Sequence, residues 1–308
     1  MARVLVPEKL AAAGLDLLRA RGHEVDVRLD LTAKELQLAI TDADALIIRS
    51  ATVVDERLLE AGRQLQVVGR AGVGLDNVDT AAATSRGILV CNAPESNVVS
   101  AAEHSVGLLL ALARNLPQAH AALTDGRWER GLWTGTELLH KTVGIVGLGR
   151  VGRLVAQRLA GFDVRLLAYD PFVSADSART INVEMTELDD LLSRSDFVTI
   201  HLPKNAETVG LFNAERFTKF KPGARLVNAA RGGVVVEADL AAALDNHQIA
   251  GAALDVFETE PLAEDSPLLR FDNCIFGTHN SSNTLEAVLR VNDLAIANLL
   301  DGLKAPVP

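Results

Sequence analysis

Three short segments in the second half of the chain each end an apolar run on residues able to handle protons and charge. LVNAARGG carries Arg231, ALDVFETEP carries Asp255 and Glu260, and CIFGTHNSSNT carries His279. A histidine changes charge near neutral pH and suits proton transfer. A carboxylate beside it orients the ring and stabilises the imidazolium. A guanidinium grips a carboxylate bidentately and polarises a developing carbonyl. Together they meet the needs of an alcohol oxidation next to a carboxylate, in which a base takes the hydroxyl proton as hydride leaves the carbon. Spacing alone does not single these residues out. Arg231 and Glu260 could equally be an ordinary ion pair, and His279 a surface residue.

A hydride needs an acceptor, and an earlier segment offers a place for one. TVGIVG leads into Gly147, Gly149 and Gly152 with GxGxxG spacing, and VGRLVAQRLAG continues as a helix. The first glycine permits a tight turn, the second lets a pyrophosphate approach the backbone, and the third lets helix and strand pack closely. The helix N-terminus adds free N–H groups and a partial positive charge. A second strand, VRLLAYD, follows and ends on Asp170, where a carboxylate holding the adenosine ribose is expected. The alternative is a solvated loop carboxylate before Pro171. A carboxylate there accepts from a ribose 2′-hydroxyl and repels a 2′-phosphate. No arginine follows in DPFVS, so the pattern selects NAD over NADP.

Parallel strands must carry these residues. VLV at 4–6, ALII at 45–48, VVG at 67–69 and ILV at 88–90 read as buried strands with helices between them. The helix after Val53 ends near Gly62. Pro94 and Asn97 then break the pattern, and Ser100 could cap the helix SAAEHSVGLLLALARNL. After the polar loop GRWERGLWTGTELL come six strand candidates in order: TVGIVG, VRLLAYD, FVTIHLP, ARLVNAA, IAGAALDV and CIFGTH. A last helix, about Thr284 to Leu303, closes the chain. Strands alternating with helices imply an α/β fold of doubly wound sheets.

At roughly 100–200 residues per domain, 308 residues suggest two domains. With 48% hydrophobic and 23% charged residues the chain is an ordinary globular mixture that buries its core without disulfides or metals. Cys91 and Cys274 lie in apolar runs and read as buried strand thiols. Neither zinc spacing nor CxxC occurs, and such sparse cysteine fits a reducing cytoplasm. A net charge of −10 argues against nucleic acid or an anionic membrane as a general partner, while allowing a local basic pocket. MARVLVPEKL has no signal-peptide layout. The longest uncharged apolar stretch, near Val106 to Ala113, is far short of the roughly 18 residues of a membrane span.

Over nearly its whole length the sequence resembles the D-isomer-specific 2-hydroxyacid dehydrogenases, and within them the branch that oxidises D-3-phosphoglycerate. The motifs that carry the likeness are RSAT at 49–52, VVGRAGVGLDNVD at 67–79, SAAEHSVGLLLALAR at 100–114, WERGLWTGTEL at 128–138, the glycine fingerprint, NAARGG at 228–233 and ALDVFETEP at 253–261. The resemblance implies that Arg231 binds substrate, that Glu260 supports the histidine, and that His279 is the acid/base. It implies that the backbone around Val73 and Gly74 holds the substrate carboxylate. Arg49, Arg70 and Arg130 fall at positions that resemble the phosphate- and carboxylate-binding arginines of that branch, three cations for a substrate with both groups. The alternative is that they are solvated arginines. The cofactor contacts expected are Gly147, Gly149, Arg150, Val151, Gly152, Asp170, Leu202, Pro203, Ala229 and Asp255. The implied architecture is two Rossmann-like domains with the active site in the cleft between them, and a homodimer formed through the second. The substrate-binding domain spans 1–97 plus 284–308, and the NAD-binding domain 98–283.

The sequence departs from the family in places. Thr278 stands where proline usually precedes the catalytic histidine, and Asn280, Ser281, Ser282 and Asn283 replace a glycine-containing run. The nicotinamide side of the pocket is therefore altered. Val236 stands where an acid is common, with Glu237 adjacent. The chain ends at Pro308, so no C-terminal regulatory domain and no serine feedback are expected. The expected substrate is a small anionic 2-hydroxy acid, with D-3-phosphoglycerate first and another D-2-hydroxy acid as the alternative. A different class of reading is an NAD(H)-sensing binding protein like the corepressors of this family.

Overall fold

In the computed structural model, which describes residues 1–304, the apolar runs become strands of two separate sheets. Of the described residues, 1–97 and 282–304 form one compact unit, and Val98–Ser281 forms the other. Residues 305–308 of the expected 284–308 segment lie outside the described residues.

The first unit holds five parallel strands: β1 (Arg3–Val6), β2 (Glu24–Val27), β3 (Ala45–Ile48), β4 (Val67–Arg70) and β5 (Leu89–Cys91), in the order β2-β1-β3-β4-β5. β3 is buried at all four positions, as strands covered on both faces by helices must be. β2 has no counterpart among the apolar runs. It is an edge strand paired only with β1, and its EVDV sequence stays half in solvent. The last strand lies one residue later than ILV at 88–90 suggested. Cys91 belongs to it but is only half-buried, unlike the buried Cys274. The helix Glu56–Ala61 stops at Gly62 as expected. The final helix, Leu285–Gly302, starts on Thr284, whose hydroxyl accepts the Ala287 N–H. It returns to this first unit. A Cβ on Gly14 would come 2.3 Å from Ile296, and one on Gly69 2.9 Å from Leu299, so two glycines let the helix seat closely.

The second unit holds seven parallel strands: β6 (Thr142–Val146), β7 (Arg165–Tyr169), β8 (Glu184–Met185), β9 (Phe197–Ile200), β10 (Arg225–Asn228), β11 (Gly251–Leu254) and β12 (Cys274–Phe276). Their order is β12-β11-β10-β9-β6-β7-β8. Six match the six expected; β8 is a two-residue edge too short to show a pattern. Side chains alternate between two core layers: Phe197 enters one, Val198 and Ile200 the other. The helix Val98–Arg114 packs on β10 and β11. Ser100 does not cap it. The turn Pro94–Asn97 leads straight into Val98, and Ser100 is buried inside the first turn. Strand order reverses between β6 and β9, and in such sheets ligands bind outside the carboxyl ends at the reversal. No helix among the described residues is long and apolar enough to cross a membrane.

Candidate active site

The glycine loop follows β6. Gly147 has φ 97°, in the left-handed region, and donates its N–H to the Tyr169 carbonyl at 2.8 Å. A Cβ there would come 2.6 Å from the His201 carbonyl oxygen. Gly152 sits in the first turn of the helix Arg150–Leu159, and a Cβ on it would come 2.1 Å from the Gly147 oxygen. Gly149 differs. It is the N-cap, no side chain caps the helix, and nothing lies within 4 Å of where its Cβ would be. Open space thus faces the uncapped N–H groups of a helix start whose first residues are Arg150 and Val151, a cradle that fits a pyrophosphate.

Asp170 follows β7 at the side of this cradle. Its Oδ2 accepts the Leu148 N–H at 2.8 Å and its Oδ1 the Phe172 N–H at 2.9 Å. Two backbone donors fix the carboxylate, and each oxygen keeps a lone pair for a ribose hydroxyl. Leu202 and Pro203 follow β9, the first half-buried and the second exposed. Ala229 follows β10 and is buried. His201 directly follows β9 and is half-buried. Burial pushes its pKa down to about 4, and its Nε2 is 3.0 Å from the Thr199 hydroxyl.

Neighbouring strands β10, β11 and β12 carry the three chemical residues at their carboxyl ends. Asn228, almost fully buried, accepts the Ala230 N–H at 3.1 Å and donates to the Arg231 carbonyl at 3.1 Å. This shapes the turn that bears Arg231. A Cβ on Gly232 would come 1.6 Å from the Phe257 oxygen, so the turn lies directly on the backbone of the Glu260 segment. There the Phe257 N–H donates to Glu260 Oε1 at 3.0 Å. Glu260 Oε2 lies 2.6 Å from His279 Nδ1. The proton of the neutral ring therefore belongs on Nδ1, which leaves the Nε2 lone pair available as a base. The His279 side chain is 45% exposed and that of Glu260 35%, so the pair is open to a substrate.

Asp255, expected as a cofactor contact, also holds the backbone that follows His279. It is completely buried, and its two oxygens accept the N–H groups of Asn280 (3.1 Å) and Ser281 (2.9 Å). Burial pushes its pKa up, but the His104 imidazole 3.5 Å away and the hydrogen bonds from those two backbone groups outweigh it and hold the carboxyl below its ordinary value. Its visible work is to anchor the two residues after His279, which itself stands at φ 54°. Gly277 is part of that arrangement, since a Cβ would come 2.1 Å from Asp255 Oδ1. A second clamp also escapes sequence reading. Glu237 and Glu258 each accept the other's backbone N–H, at 2.5 and 2.8 Å. Burial raises the Glu237 pKa, and repulsion from Glu258 and Glu260 adds to it. The acid beside Val236 was the available signal.

The remaining expected residues are carried by other segments. Arg49 and Arg70 stand at the carboxyl ends of adjacent strands β3 and β4 in the first unit, with the Arg70 guanidinium over Gly72. The Val73 carbonyl accepts from Asn92 Nδ2 at 2.6 Å, which fixes the loop that includes Gly74. Arg130 lies in an exposed turn of the second unit, between Trp128 (82% exposed) and Leu132 (65% exposed).

Comparison with known proteins bears on residues 106–281, which match the model of the D-isomer specific 2-hydroxyacid dehydrogenase NAD-binding domain. The chain is 44% identical over 304 residues to a protein of Archaeoglobus fulgidus named D-3-phosphoglycerate dehydrogenase, covering 98% of this chain and 58% of that one. It is 50% identical over 286 residues to one of the same name from Mycobacterium tuberculosis, covering 92% and 53%. The chain thus spans little more than half the length of these relatives. Among solved structures it is similar to the NAD-dependent formate dehydrogenase of Staphylococcus aureus in complex with NAD, with TM-score 0.85 and 34% identity over 97% of this chain and 95% of that one.

Proposed function

Because the chain belongs to the D-isomer specific 2-hydroxyacid dehydrogenase family, we propose that it oxidises D-3-phosphoglycerate to 3-phosphohydroxypyruvate, the first step of serine biosynthesis. The observation that carries the reading is the 2.6 Å contact between His279 Nδ1 and Glu260 Oε2 beside the Arg231 turn. NAD, when bound, supplies the hydride acceptor. His279 Nε2 takes the hydroxyl proton, and Glu260 stabilises the resulting imidazolium. Arg231 grips the substrate carboxylate and polarises the forming carbonyl. The uncapped helix start at Gly149 and the carboxylate of Asp170 bind the dinucleotide. In the reverse direction His279 returns the proton.

The phosphorylated substrate is supported by the names of the relatives and by Arg49, Arg70 and Arg130, with the backbone of Val73 and Gly74 for the carboxylate. A homodimer through the second unit completes the reading. Trp128 and Leu132 flank Arg130 as exposed apolar side chains, which suit a pairing surface. The cytoplasm is the compartment assigned, in keeping with two free thiols. A second reading, another D-2-hydroxy acid, is favoured by the altered residues around His279. The purified chain should be assayed for NADH formation with D-3-phosphoglycerate, D-glycerate and D-lactate. The highest kcat/KM for D-3-phosphoglycerate supports the first reading; a preference for a non-phosphorylated acid replaces it with the second.

A further inference from the structure

The first unit's sheet also reverses direction. From β1 the chain moves outward to β2, then crosses back to β3, β4 and β5. Crevices form outside the carboxyl ends where such a reversal occurs, here between β1 and β3. A cavity of ≈ 750 Å³ occupies that place, lined by Glu8 and Lys9 after β1, Leu29 and Asp30 after β2, and Arg49 and Thr52 after β3. This is a fitting size for a small metabolite or part of one.

The charges around the cavity are unequally committed. Glu8 accepts the backbone N–H groups of Arg49 (2.9 Å), Ala51 (3.2 Å) and Thr52 (3.0 Å). That ties the loop after β1 to the loop after β3 and uses up the carboxylate. Asp55 is spent on the Leu58 N–H at 2.9 Å. Lys9 and Arg49, by contrast, make no side-chain hydrogen bond or ion pair among the described residues, and of the lining carboxylates Asp30 alone is in that position. Two uncommitted cations therefore face one uncommitted anion across a preformed crevice. We propose that this crevice takes the phosphate end of the substrate, with Lys9 as a phosphate-binding cation beside Arg49. The inference rests on the reading that the substrate is phosphorylated, and it adds a residue that no sequence motif marked. A guanidinium pairs with phosphate through a planar fork, and an ammonium neutralises it as a point charge.

The test is steady-state kinetics of Lys9→Ala and Lys9→Arg with D-3-phosphoglycerate and with D-glycerate. Lys9→Ala should raise KM for D-3-phosphoglycerate about tenfold, the effect of removing one charge-assisted hydrogen bond, and leave KM for NAD within about twofold. The ratio of kcat/KM for the phosphorylated over the plain acid should fall by a similar factor, and Lys9→Arg should restore most of it. An unchanged ratio, or an equal rise in KM for both acids, overturns the proposal. If the wild type does not turn over D-3-phosphoglycerate, the parent reading fails, and inorganic phosphate then probes the crevice alone. Thermal stabilisation of the wild type that Lys9→Ala lacks would uphold an anion site at Lys9; equal behaviour of the two proteins would overturn it.

Discussion

Replacing Glu260 by Gln is the sharpest single perturbation of the site. Glutamine keeps an oxygen to accept the Phe257 N–H that Glu260 Oε1 accepts at 3.0 Å, so the segment should hold its shape. The change falls on the other atom, 2.6 Å from His279 Nδ1. An amide NH₂ there faces Nδ1 as a donor and drives the ring proton to Nε2, the position that must be empty to act as a base. The imidazolium formed in the reaction also loses its counter-charge. Unit charges about 4 Å apart attract by about 1 kcal/mol in water and about 4 kcal/mol near a protein surface. With the two side chains 45% and 35% exposed, the pair sits between these limits, at about 2–3 kcal/mol. That alone is about 30- to 150-fold in rate, and the wrong tautomer brings the expected loss to about 10²–10³ in kcat/KM. The assay is oxidation of the hydroxy acid and reduction of the keto acid across pH, with NADH binding by fluorescence as the control for integrity. A Glu260→Gln enzyme within about threefold of wild type in both directions, with normal NADH binding, would refute the argument.

Three further outcomes are expected. Asp170→Ala should weaken NAD and relax the exclusion of NADP, because the carboxylate that repels a 2′-phosphate is gone; a wild-type preference for NADP, read from kcat/KM for the two cofactors, would contradict the assignment. His201 is held neutral by burial, with a pKa of about 4 in the folded chain against about 6.5 in the unfolded one. Its contribution is therefore full above the unfolded value and is lost as pH falls from about 6.5 to 4, up to about 3 kcal/mol. Denaturant unfolding of wild type and His201→Asn across that window should show the variant losing less stability, and parallel curves would count against it. Mixing Arg130→Ala with His279→Ala after dissociation should restore about a quarter of wild-type activity if Arg130 serves the partner's site in a two-fold dimer, and no recovery would place Arg130 within its own chain.

The sequence revealed what repeats as pattern and hid what depends on long-range contact. The buried parallel strands were legible because burial on both faces demands apolar runs. β2 and the two-residue β8 were not, because an edge strand can carry charge and β8 is too short to alternate. The glycine fingerprint was readable because backbone conformation and close approach admit no other residue at Gly147 and Gly152. That Asp255 also anchors the backbone after His279 was hidden, because its buried bonds to Asn280 and Ser281 span about 25 residues of sequence and leave no local trace. Gly277 makes sense only once that carboxylate is in place. Glu237 and Glu258 were likewise invisible as a pair, since nothing in a helix start announces that a distant loop caps it.

In the proposed reaction His279, oriented by Glu260, moves the proton that accompanies hydride transfer from a D-2-hydroxy acid. The most direct measurement compares NADH formation by wild type and His279→Ala under saturating NAD and D-3-phosphoglycerate, alongside the NADH dissociation constant of each. A fall in kcat of about 10²–10⁴ with NADH affinity unchanged is expected, because the proposal assigns the dinucleotide to the glycine loop and Asp170 rather than to the histidine. A His279→Ala enzyme that turns over at close to the wild-type rate would contradict it.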